Sequence, residues 1–118
     1  MQPRDFEVRT ERRNGVNIVS VAGELDLATH EGLGQKLVEL GKGEGPIVVD
    51  LSACEFVDSS GIRALLMGVK AAGDANGEDG RLVIAGANNQ VMRILEMTGV
   101  DEAVPLHDSV DSAVEQLS

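Results

Sequence analysis

The chain has 118 residues with 20 acidic and 10 basic side chains, a formal charge of −10, and 42% of its residues are hydrophobic. A chain of this length buries roughly two-thirds of the surface its unfolded form exposes, which supports one domain over residues 1–118 without disulfides or metal and is too little for two. The acidic balance, the lack of a dense Lys/Arg cluster, and an aromatic set of two Phe with no Trp or Tyr argue against direct nucleic-acid binding, and no apolar run is long enough to span a bilayer.

Met1-Gln2-Pro3-Arg4-Asp5 has no apolar stretch of signal-peptide type, and a single cysteine, Cys54, excludes an internal disulfide and any multi-thiolate metal site. The expected location is the cytoplasm. Phe6, Val8 and Thr10 alternate with Glu7, Arg9 and Glu11, the period of a strand with one wet face. Asn14-Gly15 supplies a type I′ hairpin turn, so Val16 to Val21 returns antiparallel and Gly23 stops it. Thr29 is the expected N-cap of a first helix carrying Leu33, Leu37 and Leu40, which Gly41, Gly43, Gly45 and Pro46 end.

Ile47-Val48-Val49-Asp50-Leu51 is nearly unbroken in apolar character, as in a central strand covered on both faces. Asp58-Ser59-Ser60 then precedes Ile62, Leu65, Leu66 and Val69 at helical spacing, which predicts a second helix. A loop is expected from Gly73 to Gly80, then a buried strand Leu82-Val83-Ile84-Ala85. Asn88 or Asn89 caps a third helix with Val91, Ile94, Leu95 and Thr98, and Gly99 takes left-handed φ at its end. Ala103-Val104-Pro105-Leu106 reads as a short strand confined to an edge or strand end by its proline. A last helix from about Ser109 buries Val110, Ala113, Val114 and Leu117. The fold class is therefore α/β, a mixed sheet of about five strands with an N-terminal antiparallel hairpin and about four amphipathic helices packed mainly on one face or end.

The junction at Asp58-Ser59-Ser60-Gly61 joins a buried strand to a helix start, where free backbone N–H groups and the helix dipole favour negative charge. Local chemistry leaves two readings open: the three polar residues cap the helix, or a phosphate on Ser59 sits there. Hydrolytic catalysis is disfavoured, since neither His30 nor His107 lies in an obvious partner segment for a serine, and neither a nucleophile elbow nor a P-loop is present. A receiver-type phospho-Asp site at Asp50 lacks a lysine after the late strand. Ser60, Ala64, Met67 and Ala71 form a second stripe on the helix, either a partner surface or part of a wide buried face. Met92 and Met97 read as packing, Cys54 as a small buried or loop residue, and His30 and His107 as solvated helix-end residues.

Gly23-Glu24-Leu25-Asp26, Asp50-Leu51-Ser52, Phe56-Val57-Asp58-Ser59-Ser60-Gly61-Ile62, Arg81-Leu82-Val83-Ile84-Ala85-Gly86 and Ile94-Leu95-Glu96-Met97-Thr98-Gly99 together resemble the STAS-domain anti-sigma-factor antagonists of bacteria from about Phe6 to Leu117. The resemblance implies the STAS fold and a regulatory binding protein, without catalytic residues, cofactor or metal. It implies that an anti-sigma factor with serine kinase activity phosphorylates Ser59, and that a metal-dependent serine phosphatase restores it. Asp58, Ser60 and Gly61 flank the acceptor, and Asp26 helps shape the recognition surface; Arg63, Ala64, Met67 and Ala71 complete the expected partner contacts. Many relatives carry Leu-Gly where this chain has Ile62-Arg63, which adds bulk and charge beside the acceptor. The unphosphorylated form would bind the anti-sigma factor and release a sigma factor, acting as a monomer or weak dimer away from nucleic acid and membrane. Two other roles within the same resemblance are an accessory subunit of an ABC-type transporter and a stress-complex scaffold.

Overall fold

A computed structural model describes residues 6–41, 43, 45–76 and 81–117, the side chains of residues 74–76 excepted. The expectations for residues 1–5 and for the 77–80 part of the loop lie outside the described residues. Five strands, β1 (Glu7–Arg13), β2 (Val16–Leu25), β3 (Ile47–Val57), β4 (Leu82–Ala85) and β5 (Leu106–His107), form one sheet in the order β1-β2-β3-β4-β5. Among the described residues the helices are α1 (His30–Gly41), α2 (Ser59–Asn76), α3 (Asn89–Met97), a short α4 (Val100–Ala103) and α5 (Val110–Leu117). The mixed sheet, its hairpin and the central place of β3 match the expectation; α4 is additional.

Arg13 pairs with Val16 across Asn14-Gly15, whose φ angles of 52° and 79° are those a type I′ turn requires. From β2 onward neighbouring strands run parallel, which obliges each connection to cross over through helix. Val19, Val21, Val49, Leu51 and Ile84 bury one face of the sheet beneath α1 to α4. Val16, Ile18, Val48, Val83 and Ala85 bury the other against Ala113 and Val114. Helices thus cover both faces, with α5 alone on the second.

Several boundaries move for local physical reasons. Gly23 does not end β2; its φ of 98° places it beside a register shift between Gly23 and Glu24, and β2 continues to Leu25. β3 likewise runs past Ser52 to Val57 by absorbing one extra residue at each of two bulges, so Leu25 ends up opposite Val57. Thr29 does not cap α1 forward. Its hydroxyl donates back to the Glu24 carbonyl at 2.7 Å and accepts from the Asp26 N–H at 2.9 Å, closing the loop before the helix.

Helix α2 reaches Asn76, so Gly73 is helical rather than looped. Its buried stripe includes Gly61, Ile62, Ala64, Leu65, Gly68 and Ala72, which leaves Leu66 39% exposed. Glycine explains this rotation: a Cβ on Gly68 would lie 2.8 Å from Leu37 Cδ1, so α2 turns its smallest residues toward α1. Ala103 closes α4 and only Leu106 and His107 pair with β4, because Pro105 offers a carbonyl (to the Ile84 N–H, 3.0 Å) but no donor. His107 therefore lies on a strand, half-buried, not at a helix end. Met97 is 80% exposed rather than packed, since Val91 and Leu95 set the buried phase of α3 and Met97 falls outside it.

Candidate functional site

Pairing of Leu25 with Val57 brings the exits of β2 and β3 side by side. Leu27 and Ser59, each two residues further on, leave the same end of the sheet, and both are exposed. The Asp58 N–H donates to the Leu25 carbonyl at 3.1 Å and ties the two exits together. Gly61 makes this proximity possible, because a Cβ there would fall 2.7 Å from Leu25 Cγ and 2.8 Å from Leu25 O.

Asp58 is the cap of α2. Its Oδ1 accepts from the Ser60 N–H at 2.8 Å and from the Gly61 N–H at 3.2 Å, while its carbonyl accepts from the Ile62 N–H at 3.0 Å. The expectation that this helix start presents free N–H groups holds only in part: the Asp58 carboxylate occupies those of Ser60 and Gly61, while that of Ser59 makes no hydrogen bond among the described residues. Ser60 is half-buried. Ser59 is exposed, and its hydroxyl makes no hydrogen bond among the described residues.

Asp26 uses its carboxylate locally, with Oδ1 accepting from the Ala28 N–H at 3.0 Å, and its carbonyl accepts from the Thr29 and His30 N–H groups at 3.1 and 2.9 Å. These bonds close the loop, and Leu27 within it is 74% exposed. Leu27 was not singled out in the sequence; an apolar residue inside a loop of polar Asx-turn type is the signal that would have marked it. Asn88 completes this end of the sheet. It caps α3 through the Val91 N–H at 2.8 Å and donates its Nδ2 to the Cys54 carbonyl at 3.3 Å, binding the β4–α3 connection to β3.

An open groove of about 650 Å³ runs between α1 and α2 from this end. Gly34, Val38, Ala64 and Met67 give it apolar walls, and His30, Glu31 and Arg63 give it a charged rim. Of the expected partner contacts, Arg63 is exposed and Met67 is 53% exposed. Ala64, 2% exposed, lies in the helix seam, where a Cβ on Gly34 would meet its methyl at 3.8 Å. Ala71 is half-buried, and a Cβ on Gly41 would lie 3.2 Å from its carbonyl carbon, so the two helix backbones approach closely at this point.

Cys54 is buried with its Sγ directed at the Phe56 carbonyl, 3.4 Å away, and burial pushes its thiol pKa up. A nucleophilic role is disfavoured on that ground. Among the described residues no group of three His, Cys, Asp or Glu side chains converges on a metal-sized site, and no helix is long and apolar enough to cross a membrane.

This end of the sheet thus joins two parallel strand exits, a capped serine whose hydroxyl is unpartnered among the described residues, and a bonded acidic loop. The family model described as "Mlab, STAS domain" matches residues 8–110, and the chain belongs to the STAS domain family. The chain is 29% identical over 115 residues to an anti-sigma F factor antagonist of Paenibacillus polymyxa, covering 96% of each. A crystal structure of an anti-sigma factor antagonist from Mycobacterium paratuberculosis superposes with a TM-score of 0.84 at 29% identity, covering 98% of this chain and 97% of that one. The Bacillus cell fate determinant SpoIIAA in its phosphorylated form shares the fold, with a TM-score of 0.70 at 16% identity and coverage of 97% and 100%.

Proposed function

We propose that this chain is an anti-sigma-factor antagonist whose binding is switched by phosphorylation of Ser59. The observation that carries the reading is the state of Ser59: an exposed hydroxyl, free of internal bonds among the described residues, fixed on the first residue of α2 by the Asp58 cap. A serine in that condition is open to a kinase, and its modification breaks no contact that holds the fold. The similarity to a named antagonist over nearly the whole length of both chains supports the class.

In the unphosphorylated state the surface offered is Ser59, Leu27, the Asp26 loop and the adjoining rim of the α1–α2 groove. A cognate anti-sigma factor with serine kinase activity docks there and gives up its sigma factor. The kinase step joins Ser59 Oγ to the γ-phosphorus of ATP, breaks the bond from that phosphorus to the bridging oxygen, and releases ADP and the hydroxyl proton. The product carries about −1.5 to −2 charges and extra bulk beside Asp58 and Asp26. Like charges brought together in an interface cost several kcal/mol, and moving a complex from 99:1 to 1:99 takes about 5.5 kcal/mol. Hydrolysis by a metal-dependent serine phosphatase restores the hydroxyl. Every step runs in the cytoplasm, where ATP and the sigma factor are found.

The test uses purified anti-sigma kinases encoded in the same genome, incubated with γ-labelled ATP and wild type or Ser59→Ala. One of them is expected to label wild type and leave Ser59→Ala unlabelled, and to stay bound to Ser59→Ala while releasing Ser59→Asp. Equal labelling of both proteins, or stable association with a transport ATPase in place of any such kinase, overturns the reading.

A further inference from the structure

Resting on the reading of Ser59 as phosphate acceptor, we infer that Arg63 is the built-in counter-ion of the phosphorylated state. It holds the phosphoryl group across one helical turn and is thereby withdrawn from the surface that an unphosphorylated chain offers its partner.

Three observations carry this. Ser59 is the first residue of α2 and Arg63 the fifth, within unbroken helix, so the two side chains rise from the same flank about 6 Å apart along the axis. Arg63 is exposed, and its guanidinium makes no ion pair or hydrogen bond among the described residues. Two of the main-chain donors at this helix start, those of Ser60 and Gly61, are already taken by Asp58 Oδ1 at 2.8 and 3.2 Å.

The charges around the acceptor then decide where the phosphoryl oxygens turn. Asp58 holds its carboxylate at the start of α2, Asp26 carries one on the β2–α1 loop, and Glu31 adds a third at the groove. Arg63 presents the one permanent cation on the first two turns of α2, and His30 faces it across the same groove from α1. Repelled from the carboxylates, the phosphoryl group swings toward the guanidinium, whose planar fork suits two oxygens at once. An anion four residues N-terminal to a cation is the favourable order on a helix.

The functional consequence is an exchange of anions. With a free Ser59 hydroxyl, Arg63 is available to a carboxylate of the partner at the groove rim. With phosphoserine it is engaged within its own helix, so phosphorylation subtracts a contact as well as adding bulk and negative charge.

The experiment installs phosphoserine at position 59 of the full chain by genetic encoding, so no kinase is needed. The phosphorus resonance is titrated through the second ionisation near about pH 6 for three proteins: Arg63, Arg63→Gln and Arg63→Lys. All three carry His30→Gln, which removes the second basic side chain lining the groove. The expected result is a second pKa higher by about 0.3 in Arg63→Gln, with Arg63→Lys between the two because an ammonium keeps the charge without the fork, and with the difference closing at molar salt. Identical values for Arg63 and Arg63→Gln at low salt overturn the inference, as does a difference that salt does not reduce. Failure of a kinase to label Ser59 would instead strike the functional reading and leave this titration as it stands.

Discussion

Two glycines on α2 differ in what surrounds them, and their replacement by alanine should move stability in opposite directions. At Gly61 a methyl would sit 2.7 Å from Leu25 Cγ and 2.8 Å from Leu25 O, closer than carbon atoms approach, and the second of these is backbone. Helix α2 has to lift away from β2, at an overpacking cost of about 1–3 kcal/mol. Lifting also stretches the 3.1 Å bond from the Asp58 N–H to that same carbonyl, a further loss of about 1 kcal/mol. The gain in helix propensity returns about 1 kcal/mol, for a net loss of about 1–3 kcal/mol. At Gly73 nothing among the described residues lies within 4 Å of the added carbon, so only the propensity gain remains. With about 4 °C of melting temperature per kcal/mol for a chain of this size, Gly61→Ala should melt roughly 4–12 °C below wild type and Gly73→Ala about 4 °C above it. Thermal unfolding followed by far-UV circular dichroism measures both. A Gly61→Ala protein as stable as wild type would refute the argument that close contact between Gly61 and Leu25 positions the Ser59 end of the helix.

Replacing Asp58 by Ala should cost about 1–2 kcal/mol in urea unfolding, since two N–H groups lose their acceptor, whereas Asp58→Asn should cost less; equal losses would show that charge and not hydrogen bonding matters there. Burial raises the Cys54 thiol pKa, so the folded chain holds that proton more tightly than the unfolded one. As pH rises past about 8.5 the unfolded state ionises first, and stability should fall through the folded-state value. Urea midpoints at about pH 7 and about pH 10 should therefore diverge more for wild type than for Cys54→Ala, and parallel behaviour would contradict the sign.

Much of the architecture could be read residue by residue. Asn14-Gly15 marked its turn because only residues tolerant of positive φ fit it, and Gly99, at φ 79°, did the same after α3. The unbroken run from Ile47 to Leu51 identified the strand with neighbours on both sides. The errors fall where a local pattern is ambiguous. Residues 52–56 of β3 alternate irregularly because two bulges interrupt the pairing, so period two is lost although the strand continues. The phase of α2 departs from the helical template at Leu66 because hydrophobicity ranks leucine above glycine, while the packing against Leu37 selects Gly68.

By itself the sequence determined the kinds of element, their order and the serine at the head of α2, because these depend on side-chain periodicity, turn stereochemistry and capping groups a few residues apart. Only the tertiary structure decided that the chain leaves β2 and β3 toward Leu27 and Ser59 at the same end of the sheet, that Ala64 is buried in the seam between α1 and α2, and that Arg63 is exposed with no ion pair among the described residues. Those facts depend on distances between segments such as Leu25 and Gly61, remote along the chain, and such distances are set by how closely whole elements can approach once the core has closed.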